Sequence, residues 1–369
     1  MNLTPALEKA YTQEHLSARE AQARAHWIAW APVVFQVSRL MVEWGILDLL
    51  RDSGEGLTIG EVAREKGLSV YAVKVLMEAS LTAGTVTVDK DTERFTLSKT
   101  GWFLITDAAT RVNMAFCHDV CYEGLFRLDD ALREGRPAGL EHFGSWATIY
   151  EGLSELPGQA QDSWLKFDHF YSDGSFRQAL ELVFAHRPRT LLDVGGNTGR
   201  WAFECVAYDR DVSVTIMDLP QQIALMRQQT AGKPGADRIS SFATDLLQRE
   251  NEFPTDRHYD VIWMSQFLDC FGEDEILSIL ERVARIMDGN SRLFIMETLW
   301  DRQRYEPAAF CLTMTSLYFT AMANGNSKMY STDDLVRIIR QAGLDVVTIH
   351  DNLGYGHSLL EVRRYASEK

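Results

Sequence analysis

From residue 190 onward, apolar runs of strand length alternate with helical patterns. The runs are Thr190–Val194, Ser213–Met217, Tyr259–Met264, Leu293–Met296 and Val346–Ile349. Continuous apolar strands separated by helices predict a parallel sheet covered on both faces. Residues 110–187 read as mostly helical, with breaks near Gly135–Gly144 and Pro157–Gly158.

The first 50 residues also read as helices. Ile28, Phe35, Val37, Leu40, Met41, Trp44, Ile46, Leu49 and Leu50 are too apolar for a solvated helix. That face is expected to be buried under the rest of the chain or against a second subunit, with Trp27, Trp30, Phe35 and Trp44 in a dimer core. Residues 55–105 have the cadence of a winged helix. Thr58 and Glu61 form a capping box for a helix through Lys66. Gly67 stops it, Ser69 starts a second helix to about Ala83, and Thr85–Val88 pairs with Arg94–Leu97 as a hairpin. A DNA reader needs Arg, Lys, Asn or Gln along that second helix. The helix offers one cation, Lys74, so packing or dimerisation is the better reading.

Composition narrows the class. Lys and Arg number 37 against 52 Asp and Glu, a net charge of −15, which repels phosphate backbones. Nucleic acid is therefore not an expected partner. No run approaches the ~20 apolar residues of a membrane span, and Met1–Arg19 lacks an apolar signal-peptide core. Five Cys without a paired framework suit a reducing cytoplasm. Cys117, His118 and Cys121 have no second ligand pair nearby, so no metal is expected. At roughly 100–200 residues per domain, two domains are expected.

The strongest local signal is Leu191-Leu-Asp-Val-Gly-Gly-Asn-Thr-Gly-Arg200. A buried strand runs into a glycine turn and then a helix beginning near Thr198. Gly195, Gly196 and Gly199 let backbone approach a ligand closely, and the helix start presents unpaired N–H groups. Asn197 stands where a third glycine is usual, and Asn tolerates left-handed backbone. The next strand ends at Asp218, 218 − 199 = 19 residues past the last loop glycine. An acid there can take the hydroxyls of a ribose. Asp193 at the strand tip repels a pyrophosphate but suits an ammonium group. Asp245 can accept from an adenine amine while Leu246 packs on the ring. Three acids at three strand ends describe a cationic nucleoside ligand better than a phosphorylated one.

On these residues the chain resembles the small-molecule O-methyltransferases, class I S-adenosylmethionine enzymes with an N-terminal winged-helix dimerisation domain. The resemblance runs through Asp193-Val-Gly-Gly-Asn-Thr-Gly, Asp218-Leu-Pro, Asp245-Leu, Tyr259-Asp-Val-Ile-Trp-Met-Ser, Glu297 and Asn324-Gly-Asn-Ser-Lys. It implies an α/β fold with a seven-stranded Rossmann-like domain at residues 161–369, after a helical and winged-helix domain at 1–160. His357–Val362 is then the antiparallel last strand. It also implies a homodimer and no metal, with Asp193 and the glycines on the methionine end of the cofactor, Asp218 and Leu219 at the ribose, Asp245 and Leu246 at the adenine, and Ser265 at a further contact. His118, Phe167, His169, Tyr171 and Asn324 align near the substrate. The family usually carries a catalytic His where this chain reads Leu268-Asp269-Cys270-Phe271, and Met329 aligns with one of the two acids flanking that His. The chain also resembles a bacterial subgroup associated with aryl polyene gene clusters, in which Asp at this place belongs to the pattern.

The acceptor implied is a hydroxyl on an aromatic or polyketide-like molecule, free or on an acyl carrier protein. A phenol of pKa ~10 yields its proton to an ordinary Asp, pKa ~3.9, only at about 8 kcal/mol. Burial and a neighbouring Glu297 raise Asp269 and reduce that cost. Capping of the helix after Gly272 is the plainer role for Asp269. A non-catalytic cofactor-binding regulator or scaffold, and N- or C-methylation, stay open at this point.

Overall fold

The structure is a computed structural model that describes residues 3–365. Its backbone groups into two compact units: Glu14–Asp119, and Val120 onward together with the residues up to Gln13. The division expected at residue 160 does not coincide with this contact boundary.

In the first unit, Ser17 and Glu20 close a capping box at the start of the long helix Ala18–Glu43. Thr58 caps Ile59–Lys66, with the Glu61 amide donating to its hydroxyl at 3.3 Å and Glu61 Oε2 accepting from its amide at 2.8 Å. Gly67 ends that helix at φ +63°. Helix Val70–Thr82 follows, and strands β1 (Val86–Val88) and β2 (Phe95–Leu97) pair antiparallel. Met41, Leu47, Val62, Val73, Met77 and Phe95 form the core. The tryptophan face of the long helix is not covered within the chain: Trp27 is 53% and Trp30 64% exposed. The helix is buried toward its C-terminal end, at Ser38 and Met41.

The second unit holds the seven-stranded sheet: β3 (Thr190–Val194), β4 (Ser213–Asp218), β5 (Ile239–Ala243), β6 (Val261–Ser265), β7 (Arg292–Glu297), β8 (Leu344–Leu353) and β9 (His357–Arg364). The order is β5-β4-β3-β6-β7-β9-β8. The first five run parallel, and β9 is antiparallel to both β7 and β8, as expected of the last strand. Alternate residues feed two cores. Leu192, Ile262, Met264, Ile295 and Leu360 pack with helices Glu273–Ile286 and Thr332–Gln341 on one face. Leu191, Trp263, Phe294 and Leu359 pack with Phe176–Phe184 and Arg200–Tyr208 on the other. Trp201 stacks on Trp263 with centroids 4.0 Å apart. Strand β5 escapes the sequence pattern because it is an edge strand with Ser240 and Ser241 in its middle.

Candidate active site

Chain direction reverses its lateral course between β3 and β6, since β4 and β5 extend the sheet one way and β6 and β7 the other. In open α/β sheets ligands bind at the carboxyl ends of the strands at such a switch point. Across those ends stand, in spatial order, Asp245 after β5, Asp218 ending β4, the glycine loop after β3, Ser265 ending β6, and Glu297 ending β7. At ~4.8 Å per strand the row spans about 19 Å.

The glycine loop is shaped by left-handed backbone. Gly195 has φ +73°, Asn197 +47° and Gly199 +82°; Asn197 adopts the conformation expected of it. Gly199 caps the helix, which therefore starts at Arg200. A Cβ on Gly195 would sit 2.4 Å from Phe267 on the far side of the crevice. One on Gly196 would sit 2.7 Å from Asp193 Oδ2. Asp218 is fixed by two amides: Asn197 N–H donates to Oδ2 at 2.8 Å and Leu219 N–H to Oδ1 at 2.7 Å. Asp193 is 2% exposed and its Oδ2 has no hydrogen-bond partner. Burial, then the charge of Asp218, pushes its carboxyl up to about 8. Burial raises Asp218 as well, against the two amides. A buried acid with an unfilled acceptor beside a glycine cradle fits a cationic ligand.

Asp245 turns toward its own loop, accepting from Leu247 N–H at 2.9 Å and Gln248 Nε2 at 3.1 Å. Buried Arg282 pins that loop through the carbonyls of Leu246 at 2.6 Å and Asn251 at 2.7 Å. Leu246 itself belongs to the sheet core.

The second half of the site gathers around the 3-10 turn Leu268–Cys270. Glu297 Oε1 accepts from Phe267 N–H at 3.1 Å and Leu268 N–H at 2.8 Å, while its buried Oε2 has no partner. Asp269 is 6% exposed, and the Cys270 thiol donates to its Oδ1 at 3.5 Å. Burial raises Asp269; the thiol opposes this and Asp168 adds to it. Burial, then the charge of Asp269, holds Glu297 well above the usual carboxylate range. The capping role for Asp269 does not hold. Gly272 is the N-cap of Glu273–Ile286, and its N–H donates to Glu275 Oε2 at 2.7 Å. Met329 Sδ accepts from Thr298 Oγ1 at 3.3 Å, placing the thioether beside the residue after Glu297.

Asn324 braces this turn: its Nδ2 donates to Cys270 O at 2.6 Å and its Oδ1 accepts from Ser327 Oγ at 2.9 Å. Phe167, His169 and Tyr171 lie on helix Gly158–Ser172. The rings of Phe167 and Tyr171 are 5.1 Å apart, and Phe170 stacks on Tyr355 at 4.6 Å. His118 belongs to the other compact unit, its Nδ1 2.7 Å from Asp119 Oδ1. Among the described residues no group of three or more His, Cys, Asp or Glu is arranged to hold a metal.

Sequence reasoning missed Asp168, Tyr150, Trp164 and Tyr318. Trp164 Nε1 donates to the buried Tyr318 hydroxyl at 2.7 Å, and burial, then the Cys270 thiol, raises Tyr150 well above the usual phenol range. Helical spacing offered one signal: Trp164 and Asp168 are four apart, on the face of Phe167 and Tyr171. Tyr150, in a short irregular stretch, offered none.

A Dimerisation2-like domain profile matches residues 22–95. The O-methyltransferase pgmB of Aspergillus terreus is 26% identical over 47% of this chain, which spans only 40% of that protein. Human acetylserotonin O-methyltransferase is 22% identical, over 78% of this chain and 81% of its own. The S-adenosylmethionine-dependent methyltransferase SibL shares the fold with a TM-score of 0.69 at 21% identity, covering 92% of this chain and 98% of its own. An O-methyltransferase domain profile matches residues 126–345, more than half the sequence, and the chain belongs to that family.

Proposed function

We propose that the chain is an S-adenosylmethionine-dependent O-methyltransferase that methylates a hydroxyl on an aromatic or polyketide-like small molecule, with Asp269 and Glu297 in place of a His base. The observation that carries this reading is the pairing, across one switch point, of the glycine cradle with an acid pair whose carboxyls burial raises.

Asp193, Gly195, Gly196 and Gly199 would hold the methionine end, Asp218 and Leu219 the ribose, Asp245 and Leu246 the adenine, and Ser265 would make a further contact. Bound S-adenosylmethionine supplies a sulfonium methyl, whose carbon bonds to the acceptor oxygen while the sulfur keeps the pair of the broken bond. Positioning supplies much of the rate in such a displacement, up to roughly 7–11 kcal/mol. The proton is the chain's own task. Asp269, raised by burial, takes it from the hydroxyl at lower cost than an ordinary carboxylate would, and Glu297 shares the charge. Phe167, His169, Tyr171 and Asn324 complete the acceptor site.

The homodimer belongs to the same proposal. It is supported by the Dimerisation2-like match and by the exposed Trp27, Ile28 and Trp30. Its dimerising part extends from the helical N-terminus to about residue 160.

Calorimetry with S-adenosylmethionine, followed by mass spectrometry of phenolic acceptors for a gain of one methyl, tests the reading. Binding without transfer to any hydroxyl would favour a regulator or scaffold; no binding would overturn both.

A further inference from the structure

Among the described residues no helix lies between β5 and β6. A crossover between parallel strands is usually a helix, whose packing on the sheet fixes its own ends. Here the chain after β5 is a non-helical loop, and that loop carries Asp245 and Leu246 of the proposed adenine end. Its position has to be set from another element.

Arg282, on helix Glu273–Ile286, is 2% exposed and reaches that loop. Its Nε donates to Ser278 O, one turn back in its own helix, at 3.1 Å, which orients the guanidinium plane. The outer nitrogens cross to the loop. Nη2 donates to Leu246 O at 2.6 Å, and Nη1 to Asn251 O at 2.7 Å and Gln248 O at 3.2 Å. These acceptors are backbone carbonyls, so the rigid fork of N–H groups fixes the course of the chain itself. A shift of the loop would leave buried carbonyls and a buried cation unpaired. Asn251 passes the constraint on: its Nδ2 donates to Asp245 O at 2.9 Å. Two consecutive carbonyls, those of Asp245 and Leu246, are thereby held, while the Leu246 side chain anchors the same stretch in the sheet core. On this fixed backbone Asp245 Oδ1 accepts from Leu247 N–H at 2.9 Å and Oδ2 from Gln248 Nε2 at 3.1 Å. An ionised carboxylate has about four acceptor sites, so each oxygen keeps capacity for a ligand N–H.

We infer that Arg282 is a positioning residue for nucleobase recognition: it holds the Asp245–Asn251 loop so that the Asp245 carboxylate stands ready as an acceptor for the exocyclic amine of adenine. This rests on the S-adenosylmethionine reading and adds to it a residue that acts through others. An acceptor held in one place binds without first paying to order itself. It also distinguishes a base bearing an amine, which donates, from one bearing an oxygen, which does not. Arg282 therefore controls which base is preferred as well as how tightly the cofactor binds.

The test uses the full-length protein and two ligands that differ only at the base. S-adenosylhomocysteine carries the exocyclic amine, and S-inosylhomocysteine carries an oxygen in its place. Calorimetry reads both affinities, and thermal unfolding reads stability, for the unaltered chain and for variants. The unaltered chain is expected to favour S-adenosylhomocysteine by about tenfold or more, the worth of one hydrogen bond to a charged group. Arg282→Met keeps an apolar stem and loses every donor, and the preference should fall to about twofold as the acceptor loses its fixed place. Arg282→Lys keeps the charge with fewer donors and should give an intermediate ratio. Asn251→Ala removes only the clip on Asp245 O and should narrow the ratio in the same direction. Arg285→Ala, which breaks the exposed pair with Glu252 on the same helix, should leave the ratio unaltered. A lower Tm with an unchanged ratio in the Arg282 variants would show a purely structural role and overturn the inference. Equal binding of the two ligands by the unaltered chain would overturn it too. If Arg282→Met does not fold, Arg282→Lys and Asn251→Ala decide: a narrowed ratio supports the inference and an unchanged one overturns it. If the unaltered chain binds neither ligand, the S-adenosylmethionine reading fails and takes the inference with it.

Discussion

The two halves of the site use buried carboxyls differently. At the tips of β3 and β4, Asp218 is held by two loop amides and Asp193 by none, inside a turn whose shape depends on glycines. At the tips of β6 and β7, Glu297 likewise takes two amides on one oxygen, but Asp269 accepts from the neighbouring Cys270 thiol and is raised further by the charge of Asp168 on another element. The first half is built by backbone and the second by packing. Backbone geometry at φ near +70° restricts residue choice, so it leaves a short motif in the sequence. A site gathered by packing leaves scattered residues.

Substitution should separate the halves. Asp269→Asn removes the proton acceptor and is expected to lower kcat by about 10²–10⁴-fold, with S-adenosylmethionine affinity changed less than about twofold by calorimetry. An equal loss in cofactor affinity would merge the two halves into one. Gly195→Ala should do the opposite. Its Cβ meets Phe267 and its φ is left-handed, a strain of about 2 kcal/mol that weakens cofactor binding about thirtyfold.

Acidity sharpens the contrast further. Asp193 sits near 8 in the free protein, so a cationic ligand must take it ionised and release its proton on binding. Cofactor affinity is then expected to fall by up to about tenfold per pH unit below 8. The free protein carries the opposite slope. Because this acid's folded pKa is raised, its contribution favours folding at low pH and is lost as pH rises from the unfolded value near 4 toward 8. Titrations in buffers of different ionisation enthalpy would count the released proton, and a count of zero would place the cation elsewhere.

Much of this architecture was legible beforehand. The apolar runs located the central strands, the Thr58–Glu61 box and Gly67 bounded their helix, and the antiparallel β9 followed from the resemblance. Strand β5 was hidden because an edge strand need not be apolar. The N-terminal tryptophans are uncovered in the single chain, since pattern reports an apolar face and not which partner covers it. Asp193, Asp218 and the glycines were readable for the backbone reason above. Asp168, Tyr150 and Tyr318 were not, since only tertiary packing brings Tyr318 to Trp164 and the charge of Asp168 to bear on Asp269.

The smallest effect concerns that packing. Trp164→Phe deletes the hydrogen bond to the Tyr318 hydroxyl and should cost about 1–2 kcal/mol of stability, read as a lower Tm, with cofactor affinity unaltered.

The most direct test is methyl transfer itself, followed with S-adenosylmethionine carrying a labelled methyl and a panel of phenolic acceptors, for the unaltered chain beside Asp269→Asn. The account predicts a singly methylated ether from the first and a loss of at least a hundredfold in the second while both bind the cofactor. Equal turnover by the two proteins would contradict it.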